Sequence, residues 1–278
     1  MTGKKSKMPA AKPRKKRTPQ GVLLIIGGGE DKTGASRILA RLASYIGKGK
    51  LVVSTVASLE PQGYFSAYQA SFKRLGVANL KQHYLLERAE ASEASLAVLD
   101  KAKGVFFTGG DQLRISSLIG DTAFECGVRD LYLNGGIVAG TSAGATAMGD
   151  TMLIKGGESA SCKIGDLHMA PGLGLLPNSI IDQHFSERGR IGRLLGAIAL
   201  NPRLLGIGID EDTAILVKGE RFEVLGSGAV YVVDGSHVSH TNIAEGSPDK
   251  VLSLFGLTIH VLSDGDTYDI AQRLPMPA

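Results

Sequence analysis

Short apolar runs that stop at glycine-rich turns, with helical periodicity between them, constrain this chain more than any other feature. Gly21-Val22-Leu23-Leu24-Ile25-Ile26 is apolar throughout and stops at Gly27-Gly28-Gly29. Val105-Phe106-Phe107 stops at Thr108-Gly109-Gly110, and Ile137-Val138-Ala139 stops at Gly140. Leu51-Val52-Val53 is a fourth run. Apolar runs without alternation belong to strands buried on both faces. Between them, Ile38, Leu39, Leu42 and Ile46 recur at helical spacing within residues 34–47. Residues 62–75, 92–102, 111–119 and 121–133 also read as helices, with a weaker strand at Gln82–Leu86. Strands alternating with helices build a mostly parallel sheet flanked by helices, an α/β fold. Ligands of such sheets bind at the carboxyl ends of the strands. Three strands here end in glycine-rich turns at that edge.

From about residue 205 the texture changes. Leu205–Ile209, Ala214–Val217, Phe222–Leu225 and Val230–Asp234 are short apolar runs with glycine between them. They read as antiparallel strands that complete the sheet or form a second layer. No internal repeat or linker interrupts the chain. The expected organisation is a tail over residues 1–20 and a single α/β catalytic domain over residues 21–278.

Charge separates these two parts. The formal net charge is +4, but eight of the 31 Lys and Arg lie in residues 1–20, where there is no Asp or Glu. The rest carries 23 basic residues against 27 acidic ones. The tail has no apolar segment after its charges, so it is not read as a secretory signal. Its Lys and Pro content reads as a disordered, solubilising extension; the other reading is an arm for polyanions such as nucleic acid. No apolar run approaches the length of a membrane span. Cys126 and Cys162 are too few for a disulfide framework or a cysteine zinc site. The chain reads as cytoplasmic.

Gly27-Gly28-Gly29-Glu30 follows a strand, but the dinucleotide fingerprint fails because Lys32 stands where its last glycine belongs. A tight turn at the sheet edge is the favoured reading, with backbone N–H groups that could meet an anion. Gly140-Thr141-Ser142-Ala143-Gly144 matches G-x-S-x-G, the nucleophile elbow. Chance alone yields roughly 0.4 such matches in a chain this rich in Gly and Ser, so context decides. The match follows an expected strand and precedes a helix-compatible Ala145-Thr146-Ala147-Met148, which favours a nucleophile. A serine nucleophile needs a base. Of six histidines, His184 in Ile181-Asp182-Gln183-His184-Phe185 sits just past a short strand, at the same kind of edge. The residues from Ser186 onward are expected to open an amphipathic helix. His83, His237, His240 and His260 read as structural. No H-x-x-x-H or H-E-x-x-H spacing exists, so no metal is expected. Arg188, Arg190 and Arg193 read either as a solvated basic turn or as a carboxylate clamp, since guanidinium forks pair with carboxylates.

Phe106-Phe107-Thr108-Gly109-Gly110-Asp111-Gln112, Gly140–Ala145, Ile181–Phe185 with the three arginines, and Gly208-Ile209-Asp210-Glu211-Asp212-Thr213-Ala214 together resemble the cyanophycinase family. These are serine peptidases related to aspartyl dipeptidase (peptidase E). The resemblance runs from about residue 21 to 265 and does not include the tail. It implies a flavodoxin-like or class I glutamine amidotransferase-like sheet. It also implies hydrolysis of cyanophycin, a poly-aspartate backbone bearing arginine on each β-carboxyl, to β-aspartyl-arginine, without a cofactor. Carried over by position, Ser142 is the nucleophile and His184 the base. Glu211 is the preferred acid and Glu158 the alternative. Gly110 and Ala143 supply the oxyanion N–H groups. Gln112, Asp182, Gln183, Arg188, Arg190 and Arg193 match substrate-pocket positions. The rivals are an aspartyl or isoaspartyl dipeptidase of the same fold, and a non-enzymatic nucleic-acid binder acting through the tail. A general α/β-hydrolase would place its histidine late, as His260, and would need an oxyanion loop absent from this sequence. Whether the chain forms a homodimer is left open.

Overall fold

A computed structural model describes residues 19–155, 167–244, 247 and 250–278. The basic tail up to residue 18 and Glu158 lie outside the described residues.

The first half alternates as the apolar runs require: β1 (Val22–Ile26), α1 (Arg37–Ile46), β2 (Lys50–Ser54), α2 (Pro61–Arg74), β3 (Leu80–His83), α3 (Glu93–Leu96), β4 (Ala102–Phe107), α4 (Gln112–Ile119), α5 (Ala123–Leu133), β5 (Ile137–Thr141) and α6 (Ala143–Thr146). The second half holds β6 (Gly149–Lys155), β7 (His168–Pro171), β8 (Leu176–Gln183), α7 (Ile191–Leu200), β9 (Leu205–Ile209), β10 (Thr213–Lys218), β11 (Arg221–Gly226) and β12 (Val230–Asp234). It closes with β13 (His240–Thr241), β14 (Leu254–Phe255), β15 (Thr258–Leu262), β16 (Thr267–Asp269) and β17 (Leu274–Met276).

These strands form two large sheets and a separate two-stranded one, β13-β14. The first has the order β17-β16-β11-β10-β1-β5-β4-β2-β3. Its β1-β5-β4-β2-β3 part is parallel. The second has the order β15-β12-β9-β8-β6-β7, with β6, β8 and β9 parallel at its centre. β1 shows why the early runs are continuous. Leu23 and Ile25 enter one core cluster, while Val22, Leu24 and Ile26 enter another on the opposite face. Each such side chain taken fully from water contributes about 1.5–3 kcal/mol. α1 covers the second face with Ile38, Leu39, Leu42, Ala43 and Ile46.

Several expectations need adjustment. The late strands do both things expected of them: β10 and β11 extend the first sheet antiparallel, while β9 and β12 join the second. The stretch 92–102 yields only the short α3 and a 3-10 turn at Ala97–Leu99. Lys101, at φ 54°, then reverses the chain into β4. The strand expected at Gln82–Leu86 lies earlier, at Leu80–His83, and Leu86 is 70% exposed. β5 does not stop at Gly140 but runs on to Thr141. The helix expected from Ser186 begins at Ile191, because Arg190 N–H folds back onto the Phe185 carbonyl and Gly189 takes φ 60°. Among the described residues, no helix is long and apolar enough to cross a membrane.

Candidate active site

The elbow forms where β5 hands over to α6. Ser142 has φ 52° and ψ −116°, a conformation that costs a non-glycine residue about 1–3 kcal/mol and persists only when its surroundings impose it. Here they do. Its N–H donates to the Ile26 carbonyl of β1 at 3.1 Å, and its carbonyl accepts from the N–H groups of Ala145 and Thr146. The flanking glycines have steric causes: a Cβ at Gly140 would collide with the Gly144 backbone, and one at Gly144 with the Phe107 carbonyl.

His184 follows β8 of the other sheet and also adopts a positive φ, 47°. Its Nε2 lies 3.0 Å from Ser142 Oγ, and its Nδ1 lies 2.6 Å from Glu211 Oε1. Ser142 Oγ also lies 3.5 Å from Gln183 Oε1. One hydroxyl proton serves one strong bond, and the shorter contact favours His184. That choice makes Nε2 the acceptor and Nδ1–H the donor to Glu211, the hydrogen-bond order of serine hydrolases. Glu211 is partly exposed, while the imidazole is largely covered.

The end of β1 joins these parts. Besides the Ile26–Ser142 bond, the Gly27 carbonyl accepts from His184 N–H at 2.8 Å, and the Gly28 carbonyl accepts from Asp212 N–H at 2.8 Å. Successive carbonyls thus fix the serine loop, the histidine loop and the acid loop. The glycines let those loops close: at Gly28, with φ 102°, a Cβ would fall against the His184 imidazole, and at Gly29 against the Glu211 carboxylate. The sequence reading of Gly27–Gly29 as a turn is correct in shape but missed this role. Asp210 is a second missed residue. Buried, it accepts from Ser186 N–H at 2.9 Å and Ala229 N–H at 3.0 Å, tying the histidine loop to the acid loop. Aspartates next to a motif acid carry no separate sequence signal.

A cavity of about 760 Å³ opens over Ser142. Gly110, Gln112, Gln183, His184, Arg188, Arg190 and Arg193 line it. Tyr64 and Ile154, which sequence reasoning did not single out, line it too. Gly110 takes φ 139° and packs so tightly on Ala57 that a side chain has no room. Ala143 is the first residue of α6, where backbone N–H groups lack intrahelical acceptors. Gln112 is oriented by its amide donating to the Leu153 carbonyl at 2.9 Å.

The sequence reading put Asp182 in the substrate pocket. It stands behind the wall instead, 1% exposed. Its carboxylate takes Arg193 in a two-point pair, with Nε at 2.6 Å and Nη2 on the other oxygen. Arg190 Nη1 approaches the same carboxylate at 3.3 Å and also donates to the Gln183 carbonyl. One carboxylate facing two guanidinium groups leaves the wall net positive. Exposed Arg188 adds to that charge. A pocket of this sign suits an anionic ligand.

The remaining histidines lie elsewhere in the fold. His83 is buried, stacked on Phe124 and bonded to Ser54 and Ser95. Burial pushes its pKa down to about 4. His240 packs on Phe255, and His260 lies beside Tyr268. Among the described residues, no cluster of His, Cys, Asp or Glu could hold a metal ion.

A parallel sheet with a serine on an elbow, a histidine from a neighbouring strand end and a carboxylate behind it defines a serine-hydrolase type of α/β protein. The profile of peptidase family S51 matches residues 23–225, and the chain belongs to that family of peptide-bond hydrolases. It is 38% identical to a cyanophycinase of Synechococcus elongatus over 256 residues, covering 90% of this chain and 80% of the relative. Against a cyanophycinase of Nostoc sp. it is 38% identical over 276 residues, covering 96% and 93%. Among solved structures, a peptidase from an acI-B1 Actinobacterium shares the fold, with a TM-score of 0.66 at 22% identity. That alignment covers 91% of this chain and 98% of the other.

Proposed function

We propose that the chain is a serine-type cyanophycinase, an exopeptidase that cuts the poly-aspartate backbone of cyanophycin and releases β-aspartyl-arginine. The observation that carries this reading is the Ser142–His184–Glu211 series, with contacts of 3.0 Å and 2.6 Å, set beside a cationic wall. Ser142 Oγ attacks the scissile carbonyl while His184 Nε2 takes its proton. Glu211 holds Nδ1–H and stabilises the imidazolium. The N–H groups of Gly110 and Ala143 bind the tetrahedral oxygen, each worth about 2.7–4 kcal/mol in comparable sites. His184 then protonates the leaving amine, and water, activated by the same imidazole, releases the acyl group.

The cationic wall supports the substrate class. Each arginine joined through its α-amino group to an aspartate β-carboxyl keeps a free α-carboxylate, so the polymer presents carboxylates at regular intervals. Exposed Arg188 offers a guanidinium fork for them, and Arg190 and Arg193, sharing the one carboxylate of Asp182, add positive charge to the wall. The 38% identity with cyanophycinases over 90–96% of the chain points the same way.

The test is incubation of the purified protein with insoluble cyanophycin and mass analysis of the soluble products. Release of β-aspartyl-arginine is expected. Cleavage of free aspartyl dipeptides with none of the polymer would replace this reading with the dipeptidase one.

A further inference from the structure

We infer that Glu30 is a positioning residue: its buried carboxylate braces Thr141 and thereby holds Ser142 in its strained, reactive conformation. This inference rests on Ser142 being the nucleophile.

Glu30 follows the three glycines at the end of β1 and is 3% exposed. A carboxylate so placed needs hydrogen-bond partners to offset its loss of water. It has three donors. Thr141 Oγ1 donates to Oε2 at 2.6 Å, Tyr68 Oη donates to Oε1, and Lys32 Nζ lies 3.1 Å from Oε1. Thr141 is the last residue of β5, opposite Ile26 in the ladder, and it is buried. The next residue, Ser142, leaves the strand at φ 52°.

The main-chain bonds of Ser142 fix its own peptide groups, and the bond from Thr141 to Glu30 fixes the residue from which the elbow departs. Tyr68 in α2, whose ring meets Phe106 edge-on, anchors the other carboxylate oxygen to the packed core. The brace therefore runs from core to elbow through one carboxylate. Glu30 touches neither the Ser142 oxygen nor the cavity wall, so it acts through geometry rather than by contact with the reacting atoms.

Thr141→Val removes the donated proton at nearly constant shape, and Thr141→Ser retains it. The readout is the rate at which a fluorophosphonate labels Ser142, together with kcat and KM on cyanophycin, all measured well below the melting temperature. Small misplacements of reacting groups cost about 10- to 100-fold in rate. Thr141→Val is expected to slow labelling and kcat by about that factor with KM little changed, and Thr141→Ser to restore most of both. Glu30→Gln, which turns one acceptor into a donor, should fall in the same direction as Thr141→Val.

A brace that serves stability alone would lower the melting temperature of Thr141→Val while its folded fraction labels at the wild-type rate; that result overturns the inference. So does equal loss in Thr141→Val and Thr141→Ser. Absence of Ser142 labelling in the wild type would instead overturn the nucleophile reading. Wild-type labelling without cyanophycin cleavage would overturn only the substrate reading.

Discussion

The two large sheets contribute different things to one site. The first presents Ser142 on an elbow and gathers three glycine-rich strand ends around it. The second presents His184 and the arginines around Asp182, and Glu211 lies on the Asp210–Asp212 crossing between β9 and β10. The first is built at its centre from runs buried on both faces. The second has fewer strands and places a charged cluster behind the site. What unites them is backbone: the carbonyls of Ile26, Gly27 and Gly28 accept N–H groups from all three loops. A hydrogen-bonded series drawn from two sheets depends on where one strand ends.

The largest effect should come from separating the sheets chemically. Ser142→Ala removes what the first sheet supplies and His184→Ala what the second supplies. Each is expected to lower kcat by about 10⁶-fold, and the double variant should be hardly worse, because the members act as a unit. Multiplicative losses in kcat would mean the two residues work independently. Next comes the crossing segment. Glu211→Gln should cost about 10⁴-fold in kcat, as loss of the orienting carboxylate does in other triads. If Glu158→Gln is the more damaging change, the acid belongs to the segment after β6.

This contrast also explains what the sequence made legible. Continuous runs such as Val22–Ile26 state both element and environment, so the parallel half could be read directly. The late runs state only that they are strands. Gly208 shows why their partners stayed hidden: its bare Cα lets the Phe185 ring lie against β9, a packing relation with no local signature. The turn at Ser142 was legible because its two glycines answer to local sterics, and the place of His184 because it follows a strand. Asp182 was misplaced because a carboxylate among arginines reads equally as a ligand contact or an internal counterion. Burial decides between these, and burial is not written at residue 182 alone.

The charged cluster of the second sheet gives a smaller, thermodynamic test. Asp182→Asn withdraws the carboxylate from Arg190 and Arg193 while preserving shape. Removing one partner of a buried ion pair costs about 3–5 kcal/mol, because the remaining charge loses its compensation. Urea unfolding should register that loss, with a parallel drop in activity as the guanidinium groups shift. A stability loss under about 1 kcal/mol would show that water already compensates the arginines, as it does in exposed pairs.

The first sheet answers with a neutral network, and acid should tell the two apart. His83, on the edge strand β3, bonds to Ser54 through Nδ1 at 3.0 Å and to Ser95 through Nε2 at 2.9 Å. Burial holds its pKa at about 4, below the ordinary 6.5, so the folded state keeps it uncharged where the unfolded chain is already protonated. The unfolded state then binds more protons, and stability must fall as pH drops from about 6.5 to 4. The full shift corresponds to a loss on the order of 3 kcal/mol, complete once pH lies below the folded value. The carboxylates act in another window. Asp31, lowered to about 2 by the backbone N–H groups of Gly34, Ser36 and Thr33, loses its contribution only as pH falls from its ordinary value of 3.8 toward 2. The decline between pH 6.5 and 4 is therefore the signature of His83. Urea melts across that interval should show it in the wild type and a much flatter profile in His83→Gln. An equal slope in both would remove His83 as its source.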